Sequence, residues 1–378
     1  MAFGNRIGFE FAPEISRDQL FRADHGSIVL ELAPGQNPEQ IFAGIEYCLL
    51  GQTRPTDTIA VLNASISLEV AQKAWESTLE KVFPTQTEQG TETAEFKPFI
   101  GPLAGTKIRK SVVRPRIVIP VFPGTNCEYD SARAFEAAGG FPETLIVRNL
   151  SARDIEESVA ALTRQIDQSQ ILMLPGGFSA GDEPDGSGKF IAALFHNPRL
   201  SEAVMRLLDE RDGLILGICN GFQALIKLGL LPYGEIRPLS EDSPTLTFNR
   251  IGRHISRMVD TRIVSNLSPW LSRVKPGDVY AIAASHGEGR LVASRGHLEQ
   301  MAARGQIATQ YVNAEGNPSM DITVNPNGSA WAIEGITSPD GRIFGKMGHS
   351  ERIGKYVAVN IPGEKDQQIF TAGINYFR

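Results

Sequence analysis

The chain has 378 residues, a length suited to two or three domains, with 42% apolar residues and a formal net charge of −6. That charge and a pI near 5.7 provide no electrostatic footprint for nucleic acid or an anionic membrane, and no apolar run reaches the roughly 18–20 residues that cross a bilayer. Three cysteines without a C-x-x-C pair, and an N-terminus "MAFGNRIGFEF" without signal-peptide regions, lead us to expect no disulfide framework, no metal and a reducing, cytoplasmic setting.

Residues 27–32 (SIVLEL) and 58–62 (TIAVL) read as strands, and 38–50 and 67–83 as helices, the second placing Leu68, Ala71, Trp75, Leu79 and Val82 at helical spacing. Cys48, within the first helix, reads as core. This α+β segment, residues 1–85, looks partial, because two strands leave unpaired edges and little core. Residues 86–114 turn polar and irregular and read as a linker. Their basic cluster, Lys107, Arg109, Lys110 and Arg114, continued by Arg116, reads as a solvated face.

From residue 115 apolar strands alternate with helices. Strands are expected at 116–122 (RIVIPVF), 144–149, 171–177 and 214–218 (LILGI), with helices after 127, over 152–167 behind Ser151, and over roughly 188–209. Such continuous apolar strands mean a doubly wound, mainly parallel α/β sheet covered on both faces. Ligands bind such sheets at the carboxyl ends of the strands, so the glycine-rich ends at 123–126, 175–181 and 217–221 should share one rim. Later strands are expected at 278–285, 306–312, 329–338 and 342–348, with a marked turn at Asn325-Pro326-Asn327-Gly328.

Gly217-Ile218-Cys219-Asn220-Gly221 has the form of a nucleophile elbow with cysteine as the nucleophile. The chain turns sharply from strand to helix, the glycines clear the crossing, and the thiol stands at a helix N-terminus that favours thiolate. A thiolate attacking a carbonyl needs a proton carrier oriented by a carboxylate. Two H-x-E stretches offer one, His286-Gly287-Glu288 and His349-Ser350-Glu351, and spacing does not choose between them. Oxyanion donors are expected from the backbone N–H groups of Asn220, in the elbow, and Gly177, in "LPGGFSAGD". Cys127, in "GTNCEYD", has no evident base beside it and reads as packing. "DEPDGSGKF" (182–190) lacks the residues of a phosphate loop and carries acidic neighbours, which excludes an ATP site there.

"FPGTNCEYD", "LPGGFSAGD", "GICNGFQ", "SHGEGR", "NPNGS" and "IEGITSPDGRIFGKMGHSER", in this order over residues 115–378, resemble the glutamine amidotransferase domain of the phosphoribosylformylglycinamidine synthase family. "LFRADHGSIVLEL" and "KAWESTLEKVFPT" resemble, less strongly, the end of that enzyme's aminoimidazole-ribotide-synthetase-like half. The resemblance implies a class I, flavodoxin-like amidotransferase fold and a triad glutaminase serving purine biosynthesis. It implies Cys219 as nucleophile, His349 as general base and acid, and Glu351 as its orienter. Gly176, Gln223, His286 and Gly287 would border the glutamine. The family more often has M-P-H-P-E-R where this chain has Met347-Gly348-His349-Ser350-Glu351-Arg352, a difference in loop stiffness. The partner implied is the synthetase portion of the same enzyme, where ATP and Mg²⁺ act; no cofactor is implied in this chain. The sequence thus reads as a fragment or separate subunit of a larger synthase. The alternatives are an amidotransferase of another synthase, a cysteine hydrolase acting on peptides, and a non-catalytic assembly module.

Overall fold

Residues 2–85, 87, 90, 92–94, 96–101, 111–182 and 186–378 are described by the computed structural model, which divides into two units, Met1–Thr85 and Gln86–Arg378. Lys107, Arg109 and Lys110 of the basic cluster lie outside the described residues.

The first unit is built on four short strands, β1 (Gly8–Phe11), β2 (Gly51–Arg54), β3 (Thr58–Val61) and β4 (Ala64–Ser67), in the order β2-β1-β3-β4. Only β1 and β3 run parallel. Ser67 caps the following helix, Leu68–Ser77, by accepting from the Val70 N–H, and Leu68 is fully buried. The expected strand at 27–32 is not formed: Ile28, Val29 and Leu30 are exposed and unpaired in regular structure. An apolar run predicts burial but not the partner that would supply it. The strand forms instead at Gly8–Phe11. The helix expected over 38–50 shortens to Pro38–Ile41, with Gly44 at φ 81° beyond it. Cys48 is exposed rather than core.

The second unit carries a nine-stranded sheet. Its strands are β5 (Arg116–Val121), β6 (Phe141–Ile146), β7 (Ile171–Leu174), β8 (Leu214–Ile218), β10 (Ile255–Ile263), β11 (Val279–His286), β13 (Ile307–Val312), β14 (Ile333–Thr337) and β15 (Ile343–Lys346). Strands β9 (Thr245–Phe248) and β12 (Glu288–Val292) pair apart from it. The order β11-β10-β13-β14-β15-β8-β7-β5-β6 divides into two halves. From β15 to β6 all neighbours are parallel, as expected of a doubly wound sheet. From β15 to β11 all are antiparallel, so the later strands extend the sheet as hairpins.

β5 lies between β6 and β7, so the chain leaves it in one direction and returns past it in the other. With right-handed crossovers this puts Glu128–Ala137 on one face and Ala152–Gln168 and Pro198–Asp209 on the opposite face. The observed packing agrees. Phe135 stacks edge-on against Phe370 and Trp270, while Ala152–Gln168 lies against Pro198–Asp209. The helix expected over 188–209 is broken in two, because Asn197 caps a new helix with Pro198 in its first turn. β14 begins only at Ile333, since Trp331 and Ala332 both take positive φ.

Part of the stretch read as a linker is fastened to this unit. Phe99 N–H donates to Val264 O (3.0 Å), the Phe96 ring sits 5.5 Å from Trp331, and Gln310 Nε2 donates to Ala94 O (2.9 Å). Composition marks this segment as irregular, and irregular chain can still dock. Arg114 and Arg116 lie over the Phe141 ring, and Arg116 pairs with Glu143 at 2.6 Å.

Candidate active site

Parallel pairing brings the distant motifs together. β15 runs alongside β8 in the register Lys346↔Ile218, so the residues that follow each strand emerge at the same rim. The residue after β8 is Cys219, and the third after β15 is His349. β7 flanks β8 on the other side and delivers Gly176 and Gly177.

Cys219 has φ 52° and ψ −106° and precedes the helix Asn220–Lys227. A non-glycine residue held there costs on the order of 1–3 kcal/mol. Two backbone bonds hold it: Cys219 N–H to Lys346 O at 2.8 Å, and Gln223 N–H to Cys219 O at 3.0 Å. The flanking glycines are required by close approach. A Cβ on Gly221 would lie 1.9 Å from Leu174 O, and one on Gly217 would lie 2.8 Å from Gly221 C. The side chain is 6% exposed, and its Sγ lies 3.7 Å from Ser285 O.

His349 and Glu351 are both buried, with Nδ1 2.6 Å from Oε1. Burial, the largest single influence, disfavours the imidazolium, but the Glu351 carboxylate and the Cys127 and Cys219 sulfurs together outweigh it and hold the His349 pKa well above its ordinary value. Glu351 is pushed up by burial and further down by His349, leaving its carboxyl below the ordinary range. With Nδ1 on Glu351, the buried Nε2 has no hydrogen-bond partner among the described residues.

The other H-x-E stretch is not arranged this way. His286 Nε2 meets Asn327 Nδ2 at 3.1 Å, whereas the Glu288 carboxylate accepts from Ser187 N–H at 3.3 Å. Burial, with His349 and His254 nearby, lowers the His286 pKa to about 3, so its ring is neutral. Its Nδ1 is buried without a partner among the described residues.

The glycine-rich ends do share one rim. Thr125 bridges to Gly177, Asn126 N–H reaches Gly176 O at 3.4 Å, and Ser179 N–H reaches the Asn220 side-chain oxygen at 3.3 Å. Asn220 Nδ2 donates onward to Asp182 (3.1 Å) and to Gln223 Oε1 (3.0 Å). Desolvation, foremost, raises the Asp182 pKa. The Gln223 side chain is thus committed internally, donating also to Glu288 O, and it braces the 286–288 segment. Gly176 lies inside the site: a Cβ there would stand 2.8 Å from His349 Cε1, 3.1 Å from Cys127 Sγ and 3.4 Å from Cys219 Cβ. Gly287 has open space where its Cβ would be.

Some residues here were not legible as site residues. Cys127, read as packing, is buried with Sγ 3.9 Å from His349 Nδ1 and 3.4 Å from Arg352 Nη2. The loop after β5 carries it to a base supplied more than 200 residues later. Donor atoms of Cys127, His349 and Glu351 lie within 4.8 Å of one another, a spacing a metal ion could use, although the His and Glu donors are bonded to each other. Asn327, read only as a turn residue, orders His286, Gly289 O and the Tyr311 hydroxyl with one amide.

Residues 114–377 match the CobB/CobQ-like glutamine amidotransferase domain family. The chain is 31% identical over 239 residues to phosphoribosylformylglycinamidine synthase subunit PurQ of Aquifex aeolicus, covering 63% of this chain and 90% of that one. With the PurQ subunit of Salinibacter ruber it shares 31% over 261 residues, 69% of this chain and 96% of the relative. Among solved structures, PurLQS from Thermotoga maritima aligns with a TM-score of 0.51 and 28% identity, over 70% of this chain and all of the matched one.

Proposed function

The chain belongs to the CobB/CobQ-like glutamine amidotransferase family, among the glutaminase subunits of phosphoribosylformylglycinamidine synthase, and on that premise we propose that Cys219 attacks glutamine and releases ammonia for purine biosynthesis. The observation that carries this is the convergence of a strained, glycine-flanked Cys219 with a buried His349–Glu351 pair on one rim.

The placement of these residues supports the following steps. Cys219 passes its proton to His349 Nε2, and the imidazolium is stabilised by Glu351. The thiolate adds to the γ-carbonyl of glutamine bordered by Gly176, Gln223, His286 and Gly287. Charge on the oxygen is met by the N–H groups of Gly177 and Asn220, an arrangement that typically contributes ~10²–10³ in rate per donor. Imidazolium then protonates the departing nitrogen, which leaves as ammonia, and a thioester remains on Cys219. Water activated by His349 hydrolyses it to glutamate and restores the thiol.

The reading extends to a partner. Ammonia would be consumed at a synthetase portion of the enzyme, whose ATP and Mg²⁺ would supply the activation needed to aminate formylglycinamide ribonucleotide. Relatives named as synthase subunits support such a partner. Three free cysteines support a reducing, cytoplasmic setting; among the described residues no helix is long and apolar enough to cross a membrane. The test is covalent labelling by a glutamine-mimicking diazoketone. Mass analysis should find a single adduct on Cys219, competed by glutamine. Absence of that adduct, or an adduct that glutamine does not displace, overturns the reading.

A further inference from the structure

We propose that the buried ion pair Lys346–Glu334 is a brace that positions the His349–Glu351 loop against Cys219. The proposal rests on the glutaminase reading and assigns positioning residues to it.

Both side chains are fully buried, with Nζ 3.4 Å from Oε1. Lysine and glutamate almost never stand in a core unless paired, and apolar residues of similar volume often replace such pairs at no loss of stability. Stability alone therefore gives little reason for this one. Its partners give a better one. Lys346 Nζ donates to Gly348 O (3.2 Å) and Ser350 Oγ (2.7 Å) as well as meeting Glu334. All three ammonium donors are thereby used, two of them on the residues that flank His349. The Glu334 carboxylate accepts from the Gly348 N–H (2.6 Å) and from Thr309 Oγ1 (2.5 Å). Ser350 Oγ donates a hydrogen bond to Gln367 Oε1 (2.7 Å), and Gln367 Nε2 donates to Thr261 Oγ1 (3.1 Å). The loop is thus tied to β10, β13 and β14 through side chains.

Lys346 also holds the other half of the site. Its carbonyl accepts the Cys219 N–H at 2.8 Å, so one residue fixes the elbow with its backbone and the His349 loop with its ammonium. Gly348 and Ser350 match this arrangement. A Cβ at 348 would stand 2.9 Å from Glu334 Oε1 and 3.3 Å from Lys346 Nζ. A proline there would remove the N–H that Glu334 accepts as well as add that Cβ. The charged brace and a proline-stiffened loop are therefore alternative solutions, and this sequence has the first.

Three variants of the full chain test the brace, read by thermal midpoint, diazoketone labelling of Cys219, and kcat and KM for glutamine. Lys346→Met strands the Glu334 carboxylate and should lower the midpoint and kcat together. Lys346→Met/Glu334→Leu removes both charges and should regain the midpoint, yet leave kcat down on the order of 10²-fold, the cost of a misplacement near 1 Å, with KM little changed. Ser350→Ala, which deletes one hydroxyl, should lower kcat about tenfold in a folded protein. A double variant that regains both midpoint and kcat, or Ser350→Ala with full kcat, overturns the brace. Wild-type protein that neither labels nor turns over, alone or with the purified synthetase portion, overturns the glutaminase reading itself, a result distinguishable from failure of the brace alone.

Discussion

His349 Nδ1 and Glu351 Oε1 are 2.6 Å apart, two residues apart in sequence, and both side chains are buried. The bond commits one ring nitrogen to the carboxylate and leaves Nε2 without a partner among the described residues, as the proposed proton carrier requires. Glu351 is the principal cause of the raised His349 pKa, against the burial that opposes it. Glu351→Gln keeps the shape and removes the charge, so burial then dominates and the His349 pKa falls. We expect kcat to drop by ~10²–10⁴, and the limb of the pH–rate profile that reports His349 to move to lower pH. An unmoved limb contradicts this role.

His286 makes the stability of the protein pH-dependent. Its folded pKa of about 3 lies below the ordinary value of 6.5, so the unfolded chain takes up the proton first as pH falls. Stability from this group is full above about pH 6.5 and is lost progressively toward pH 3. Between pH 7 and pH 5 the wild type should lose about 2 kcal/mol more than His286→Gln. Urea midpoints of the two proteins at both pH values measure the difference; equal losses contradict it.

Two glycines separate packing from chemistry. Gly221→Ala drives a Cβ to 1.9 Å from Leu174 O, a backbone contact that cannot rotate away, and should cost roughly 3 kcal/mol of stability. Gly176→Ala instead meets His349 Cε1 at 2.8 Å. That side chain can yield, so kcat should fall on the order of 10²-fold while the thermal midpoint shifts little. Calorimetry and glutaminase assays on both variants check the contrast.

Cys127 touches His349 at 3.9 Å through a weak sulfur donor. Such a contact is worth about 1 kcal/mol, so Cys127→Ala should retain glutamate release within about tenfold of wild type. Complete loss in a folded variant assigns Cys127 a larger role than the geometry supports.

The elbow was legible because its requirements are local. Apolar residues 214–218 lead into glycines at 217 and 221 around one cysteine, and the close approaches they permit are those found. The inner parallel strands β5, β7 and β8 were legible for a similar reason, since each is a continuous apolar run, whereas the half-exposed edge strand β6 forms at Phe141–Ile146, three residues ahead of the expected 144–149. The choice between His286 and His349 was not contained in their spacing; the family resemblance pointed to His349. In the fold the two rings are distinguished by their partners: His349 meets the Glu351 carboxylate, whereas His286 meets the Asn327 amide and the Glu288 carboxylate turns to Ser187 N–H. Cys127 was read as packing, and Lys346 and Glu334 were passed over, because the fold alone brings Cys127 to His349 and the two charges to each other. The exposed Ile28–Leu30 run was misread as a strand, since apolarity carries no information about which surface will cover it.

Glutamate release from glutamine by wild type and Cys219→Ala, each assayed alone and with the purified synthetase portion, tests the central claim most directly. The account predicts release by the wild type in at least one of these conditions and none above background by Cys219→Ala. Absence of Cys219-dependent release in both conditions contradicts it.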